Sequence, residues 1–217
     1  MLFTTDSLEQ SDHRYSDERN GLLQEIILDF AEAFPNLKFE IQAQSRTINA
    51  QAIFRAKTRI VRLYGGLAFH PLIGSDALAF TLLHEVGHHL SSGGRLAFCK
   101  NMGCECAADR WAVTKGMTRL KKGTGRALQM EKAIEGLDAL NARTLNREPA
   151  QTNKSNSEDG LTMCWALAWP KRKLHLTGLT PMPIIRRCYL SDFYVSWSTS
   201  HSGEKNGFFD ASRQRSR

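Results

Sequence analysis

Apolar residues recur at helical spacing near the start of the chain. The spacing predicts an amphipathic helix over Glu18–Phe34. Its inward face is formed by Leu22, Ile26, Ile27, Phe30 and Phe34. Pro35 and Asn36 follow directly and are expected to end the helix, because proline cannot continue it.

Alternation of apolar and polar residues replaces this spacing in the next part of the chain. Three short segments show the pattern of half-buried strands: Leu37–Ile41, Ala52–Arg55 and Arg59–Tyr64. We therefore expect these segments to form a small sheet.

A second helix is predicted to begin at Ser75 or Asp76, either of which can act as its cap. Leu78, Leu82 and Leu83 give it an apolar face, and the polar, glycine-containing residues 90 to 94 end it. Gly87 lies inside this helix, where glycine costs about 1 kcal/mol relative to alanine. Its presence suggests that another backbone or a metal site packs closely against the helix.

Two more helices are predicted, over Glu105–Ala112 and Gly125–Thr144. Combined with the three strands, they predict an α+β fold.

Candidate chemistry is concentrated within the second helix. His84 and His88 are one turn apart, so they lie roughly 40° apart on one face and both imidazoles can reach a single ion. Glu85 lies beside them and need not ligate the metal. It can instead act as the catalytic base that takes a proton from a water activated by zinc.

Two histidines leave a catalytic zinc site one protein ligand short. Glu105 is the candidate for that ligand. Asp109 follows one turn later on the same helix face, where it could accept a hydrogen bond from the outer nitrogen of a ligating histidine. Asp109 could instead be an ion-pair partner of Arg110 or of a lysine.

These residues resemble the gluzincin metallopeptidases, whose zinc is held by His-Glu-x-x-His and a glutamate from a following helix. The residues that carry the resemblance are His84, Glu85, His88, Glu105, Ala108 and Asp109. The Glu-x-x-Ala-Asp form is most similar to the HtpX and CAAX prenyl endopeptidase group, and the spacing from Glu105 to Asp109 is also similar to that of thermolysin. The segment from Arg59 to Leu67 resembles the strand and glycine turn before the zinc helix of small soluble relatives.

The resemblance covers about residues 55 to 115. It implies a zincin-like fold, in which a small, mainly antiparallel sheet packs on the zinc helix and the glutamate helix. It also implies Zn²⁺ as cofactor, peptidase activity and Glu85 as general base. In gluzincins an edge strand beside the zinc helix binds the extended substrate, and residues 59 to 64 are the candidate here.

Composition agrees with one modest domain, since 41% of the 217 residues are hydrophobic. We expect an N-terminal arm over residues 1–16, a zincin-like domain over 17–147, and a polar linker with a basic tail over 148–217. From Trp165 onward, nine Lys or Arg face three Asp or Glu, so most of the net charge of +7 belongs to the tail. The chain has no apolar run of about 18 residues, which excludes a membrane-embedded peptidase.

The five cysteines support a different metal site. Cys104 or Cys106 could join the histidines in a closed structural site, although a Cys-x-Cys spacing on a helix points the two thiols apart. Cys99, Cys164 and Cys188 complete an odd total, which rules out a full disulfide framework within one chain and favours reduced thiols. With no secretory signal at the start of the chain, this predicts a cytoplasmic protein.

Other polar residues have simpler interpretations. We expect His89 either to contact a metal-binding side chain without binding the metal or to lie at the surface, and His70 to be a loop residue held by a backbone hydrogen bond. Tyr189, Tyr194 and His201 could stabilise an oxyanion, but structural or surface roles are favoured for all three.

Three functions are compatible with these features. The first is a soluble zinc endopeptidase acting on a peptide or protein substrate. The second is a regulatory metalloprotein similar to the ImmA/IrrE group, acting on a separate transcription factor. The third is a non-catalytic zinc-binding protein with a basic tail. The sequence contains no recognisable nucleic-acid-binding motif. We therefore expect no stable nucleic-acid complex and at most weak contact of the tail with acidic surfaces.

Overall fold

A computed structural model describes residues 16–92 and 101–145, together with residues 173, 176 and 177. The predicted N-terminal arm up to residue 15, Cys99, the polar linker and most of the basic tail lie outside these residues. Tyr189, Tyr194 and His201 also lie outside them, as do Cys164 and Cys188.

Helix α1 spans Asp17–Ala33 and matches the first predicted helix closely. The hydroxyl of Ser16 accepts a hydrogen bond from the Arg19 N–H and caps its first turn. Ile26, Phe30 and Phe34 are fully buried as predicted, whereas Leu22 and Ile27 are only partly buried. Leu23 takes the buried position instead, which rotates the inward face by about one residue.

The sheet has three strands, β1 (Lys38–Gln42), β2 (Ala50–Arg55) and β3 (Thr58–Tyr64), in the order β1-β3-β2. The two-residue turn between β2 and β3 makes them antiparallel neighbours, while β1 pairs with β3 in parallel. The expectation of a mainly antiparallel sheet was therefore wrong, and the sheet is mixed. The segment of residues 59 to 64 is also not an edge strand, because it is paired on both sides.

The turn between β2 and β3 consists of Ala56 and Lys57, which have φ values of 48° and 67°. Two successive left-handed residues are typical of a type I′ hairpin turn, which matches the twist of the flanking strands. Such turns usually contain Asn and Gly, because side chains with a Cβ are strained there.

Helix α2 (Gly65–Ala68) follows β3 directly, where a glycine turn was expected. A Cβ on Gly65 or Gly66 would collide with the carbonyl oxygens of Ala43 and Arg46 in the loop before β2. Helix α3 (Ser75–Leu90) follows and is buried along nearly its whole length. It lies at the centre of the fold, in contact with the sheet and with most of the other helices.

Helix α4 (Glu105–Trp111) begins at the predicted residue and continues through a π-helical turn (Ala112–Gly116) into α5 (Met117–Thr124). Gly125 has φ of 78° and ends α5 in the left-handed conformation. The next helix, α6 (Met130–Leu145), therefore starts later than the predicted Gly125. Helix α6 packs on α3, so the predicted α+β class is confirmed.

Three described residues of the C-terminal region lie against this core. The Thr177 N–H donates to the Lys173 carbonyl, the Lys173 ammonium pairs with Asp138 of α6, and Leu176 is buried among core residues. Across the described residues, no helix combines the length and the apolar character needed to cross a bilayer.

Candidate metal centre

His84 and His88 are placed on one face of α3, as their spacing predicts. Both side chains are buried, and their Nε2 atoms lie 3.1 Å apart. Helix α4 brings Glu105 to the same point, with Oε2 3.0 Å from His84 Nε2 and Oε1 3.5 Å from His88 Nε2. The three residues are the one group of at least three His, Cys, Asp or Glu side chains, among those the structure describes, whose ligand atoms converge closely enough for a metal ion.

The distances between these atoms suit a small divalent cation. Around a tetrahedral zinc ion with bonds of about 2.0 to 2.1 Å, neighbouring ligand atoms lie about 3.3 Å apart. The observed separations of 3.0 to 3.5 Å bracket that value. The Glu105 side chain retains 19% exposure, but its Oε2 atom, which lies nearest to His84, is buried.

Hydrogen bonds at the far side of each imidazole fix which nitrogen faces the cluster. His84 Nδ1 lies 2.7 Å from Asp109 Oδ1, and His88 Nδ1 lies 2.7 Å from the Gly103 carbonyl oxygen. A carbonyl and a carboxylate can only accept, so both rings donate from Nδ1 and direct Nε2 inward. Two inward lone pairs and a carboxylate at these distances repel one another unless a proton or a metal ion lies between them, and this is the donor set of a metal site.

The charges around the two histidines also favour a bound cation. Burial alone lowers the pKa of His84, but the carboxylates of Asp109 and Glu105 outweigh that effect and raise its pKa from 6.5 to about 9. Burial lowers the pKa of His88. The negative surroundings of His84 thus attract a cation, and a proton on its Nε2 competes with a metal for the same position.

Glu85 lies next to the cluster without belonging to it. Its side chain is 1% exposed, Oε2 accepts a hydrogen bond of 2.6 Å from the Ala52 N–H, and Oε1 lies 4.0 Å from His84 Nε2. The Glu85 carboxylate is therefore close enough to contact a molecule bound at the cluster. It is too far away to be a metal ligand together with His84, His88 and Glu105.

Close helix packing holds the two motifs together. A Cβ on Gly87 would lie 2.6 Å from the Ala108 carbonyl oxygen and 2.9 Å from its Cα. The predicted close approach at Gly87 is thus confirmed, and the neighbour is the backbone of α4. This approach brings Glu105 and Asp109 within reach of His84.

The cysteines and the other histidines that the structure describes lie outside this cluster. Cys104 and Cys106 are buried beside Glu105, but neither belongs to the group that could hold a metal. His89 is not a surface residue, since it is buried and donates from Nε2 to the Ile60 carbonyl of β3 at 2.9 Å. His70 accepts a hydrogen bond from the Leu72 N–H, as expected for a loop residue held by the backbone.

Two groups that shape the site are missing from the sequence prediction: the Gly103 carbonyl, which fixes His88, and the Ala52 N–H, which holds Glu85. Both are backbone groups, so no residue type marks them. Comparisons of the chain with protein-family models, curated proteins and solved structures found no match. The geometry alone therefore carries the conclusion that His84, His88 and Glu105 form a cluster that could hold a metal ion.

Proposed function

We propose that this chain is a zinc-dependent endopeptidase of the gluzincin type, built on a zincin-like domain. The observation that carries the proposal is the combination of a converging His84, His88 and Glu105 cluster with the carboxylate of Glu85 at its side. A purely structural site has no use for a buried, non-ligating carboxylate directed at the metal position.

Each residue of the site has a distinct part in this chemistry. His84, His88 and Glu105 would hold the metal, while Asp109 and the Gly103 carbonyl keep both rings in the ligating tautomer. Zinc, when bound, supplies a water whose pKa is lowered to about 7 and polarises the scissile carbonyl. Glu85 Oε1, which lies 4.0 Å from His84 Nε2, would accept the proton released from the attacking water and pass it to the leaving nitrogen.

The choice of zinc rests on the donor set. Two imidazole nitrogens and one carboxylate, at separations that suit tetrahedral bonds, match the His₂Glu arrangement of catalytic zinc. Iron and other divalent ions also accept such ligands, so the metal is a point for measurement.

The substrate backbone is assigned to β2 rather than to β3. Within the described chain, β2 lies at the edge of the sheet and contacts α3, while β3 is paired on both sides. Residues 50, 52 and 54 direct their backbone groups away from β3, because pairing alternates along an antiparallel strand. The Ala52 N–H donates to Glu85, so the substrate would pair with the groups of residues 50 and 54 and with the Ala52 carbonyl. An extended peptide beside this edge would lie next to Glu85.

Replacing the general base tests the proposal. In Glu85→Gln we expect about one zinc per chain, as in the wild type, and a loss of peptide hydrolysis of roughly 10²- to 10⁴-fold. The matched control is Glu131→Gln, which neutralises an exposed acid on α6 and should change neither quantity. Undiminished cleavage of casein or of a peptide library by zinc-loaded Glu85→Gln would refute the mechanism.

A further inference from the structure

The two carboxylate oxygens of Glu85 lie in different surroundings. Oε2 is held by the Ala52 N–H at 2.6 Å. Oε1 is buried, makes no hydrogen bond to any described residue, and lies 4.0 Å from His84 Nε2. One oxygen is thus fixed to β2 while the other faces the metal cluster.

The Ala52 N–H is available for this contact because of its position along β2. The Asn49 carbonyl accepts from the Tyr64 N–H, so Asn49 faces β3. Pairing alternates, and Ala52, three residues further on, faces the opposite way. Ala50 and Ala52 are small and buried, which lets α3 come close enough for Glu85 to reach the strand.

Burial makes this single contact important. An ionised carboxylate removed from water needs hydrogen bonds to offset its lost hydration. A hydrogen bond to a charged acceptor is about twice as strong as a neutral one, and its direction fixes the rotation of the carboxylate. Without this hydrogen bond, the carboxylate of Glu85 could rotate, and no oxygen would be held facing the cluster.

We propose that the backbone N–H of Ala52 is the positioning group for Glu85, holding the carboxylate so that Oε1 faces the metal cluster. The contact acts through Glu85, and the alanine side chain takes no part in it. Its kinetic consequence rests on the proposed peptidase function, whereas the hydrogen bond itself can be tested without any activity.

The first test uses amide resonances of the full-length, zinc-loaded protein. A hydrogen bond to an ionised carboxylate moves an amide proton downfield. We expect the Ala52 amide proton to lie downfield in the wild type and to move upfield in Glu85→Gln, while the Phe54 amide, on the same strand edge, stays in place. An Ala52 resonance that does not respond to Glu85→Gln would overturn the proposal.

The second test removes the N–H alone. Lactic acid incorporated at position 52 replaces the amide with an ester and keeps the methyl side chain. Phenyllactic acid at position 54 makes the same change at an N–H that would pair with the substrate, so we expect it to raise KM and to leave kcat unchanged. Both esters weaken the preceding carbonyl equally, since Gln51 and Ile53 both face β3. We expect kcat of the position-52 ester to fall roughly 10- to 100-fold, with KM and zinc content unchanged.

The two tests separate the proposals. Equal kcat values for the wild type and the position-52 ester would overturn the positioning role. A zinc-loaded wild type that hydrolyses no peptide would instead refute the proposed function, and the amide resonances would still decide whether Ala52 holds Glu85.

Discussion

Gly87 of α3 and Ala108 of α4 are in backbone contact, so that a Cβ on Gly87 would lie 2.6 Å from the Ala108 carbonyl oxygen. This contact sets the distance between the helix that carries both histidines and the helix that carries Glu105 and Asp109. The metal cluster therefore depends on a residue that has no side chain.

Gly87→Ala should destabilise the protein and weaken metal binding. Alanine favours a helix by about 1 kcal/mol over glycine, but the collision with a fixed backbone costs about 1 to 3 kcal/mol and separates the helices. The measurements are denaturant unfolding and zinc content. The control is Gly21→Ala on α1, where a Cβ meets nothing within 4 Å and should stabilise by about 0.5 to 1 kcal/mol. A Gly87→Ala protein as stable as Gly21→Ala would contradict this account of the helix contact.

Zinc affinity should rise with pH. His84 has its pKa raised to about 9, so near neutral pH the metal-free protein holds a proton that zinc must displace. Affinity should increase about tenfold per pH unit below pH 9 as this single proton is lost. Titration calorimetry in buffers of different ionisation enthalpy counts the released protons, and Asp109→Asn should reduce that count. Affinity that does not change with pH would show that His84 carries no such proton.

The metal-free protein should show the opposite trend in stability. The pKa of His84 is raised on folding, from 6.5 to about 9, so its contribution to stability is complete below pH 6.5 and is lost as the pH rises through 9. Urea unfolding of metal-free protein between these pH values measures the effect. In Asp109→Asn, where the raising carboxylate is gone, the dependence should be weaker.

A Cβ added at Gly103 should disturb the metal site by displacing the Ser91 hydroxyl. A Cβ on Gly103 would collide with the Ser91 hydroxyl, and the Gly103 carbonyl accepts from His88 Nδ1. Gly103→Ala should therefore weaken zinc binding by roughly 10- to 100-fold, as expected when the outer partner of a ligand is displaced. Adding Ser91→Ala removes the colliding oxygen and should restore most of the affinity. Equal affinities for the single and the double variant would contradict the steric explanation.

The hairpin turn offers a stabilising change away from the site. Ala56 and Lys57 both have positive φ, which costs about 1 to 2 kcal/mol for a residue with a Cβ. Ala56→Asn with Lys57→Gly should raise the free energy of unfolding by about 1 kcal/mol and leave zinc content unchanged. Thermal unfolding provides the measurement, and an unchanged or lower midpoint would show that this turn is not strained.

The ligand positions were accessible from the sequence because they depend on local periodicity. His84 and His88 share a face of one helix, and Glu105 and Asp109 share a face of another, so spacing alone placed both pairs. The match of α3 and α4 to the predicted segments has the same origin.

The order of the strands and the backbone contacts could not be predicted from the periodicity of the sequence. That β1 pairs with β3 in parallel depends on how the loop before β2 crosses the sheet, which the alternation within each strand does not record. His89 illustrates the same limit. Its angle on α3 separates it from His88, but only the sheet behind the helix makes it a buried partner of Ile60.

Metal stoichiometry by elemental mass spectrometry, on purified wild type and Glu105→Ala, decides whether His84, His88 and Glu105 together hold a metal ion. We expect about one zinc per chain in the wild type and a loss of most of it in Glu105→Ala. Cys104→Ser and Glu131→Ala, the second of which removes an exposed acid, should both retain full zinc. A wild type without bound metal, or a Glu105→Ala protein with full zinc, would contradict the His84, His88 and Glu105 site.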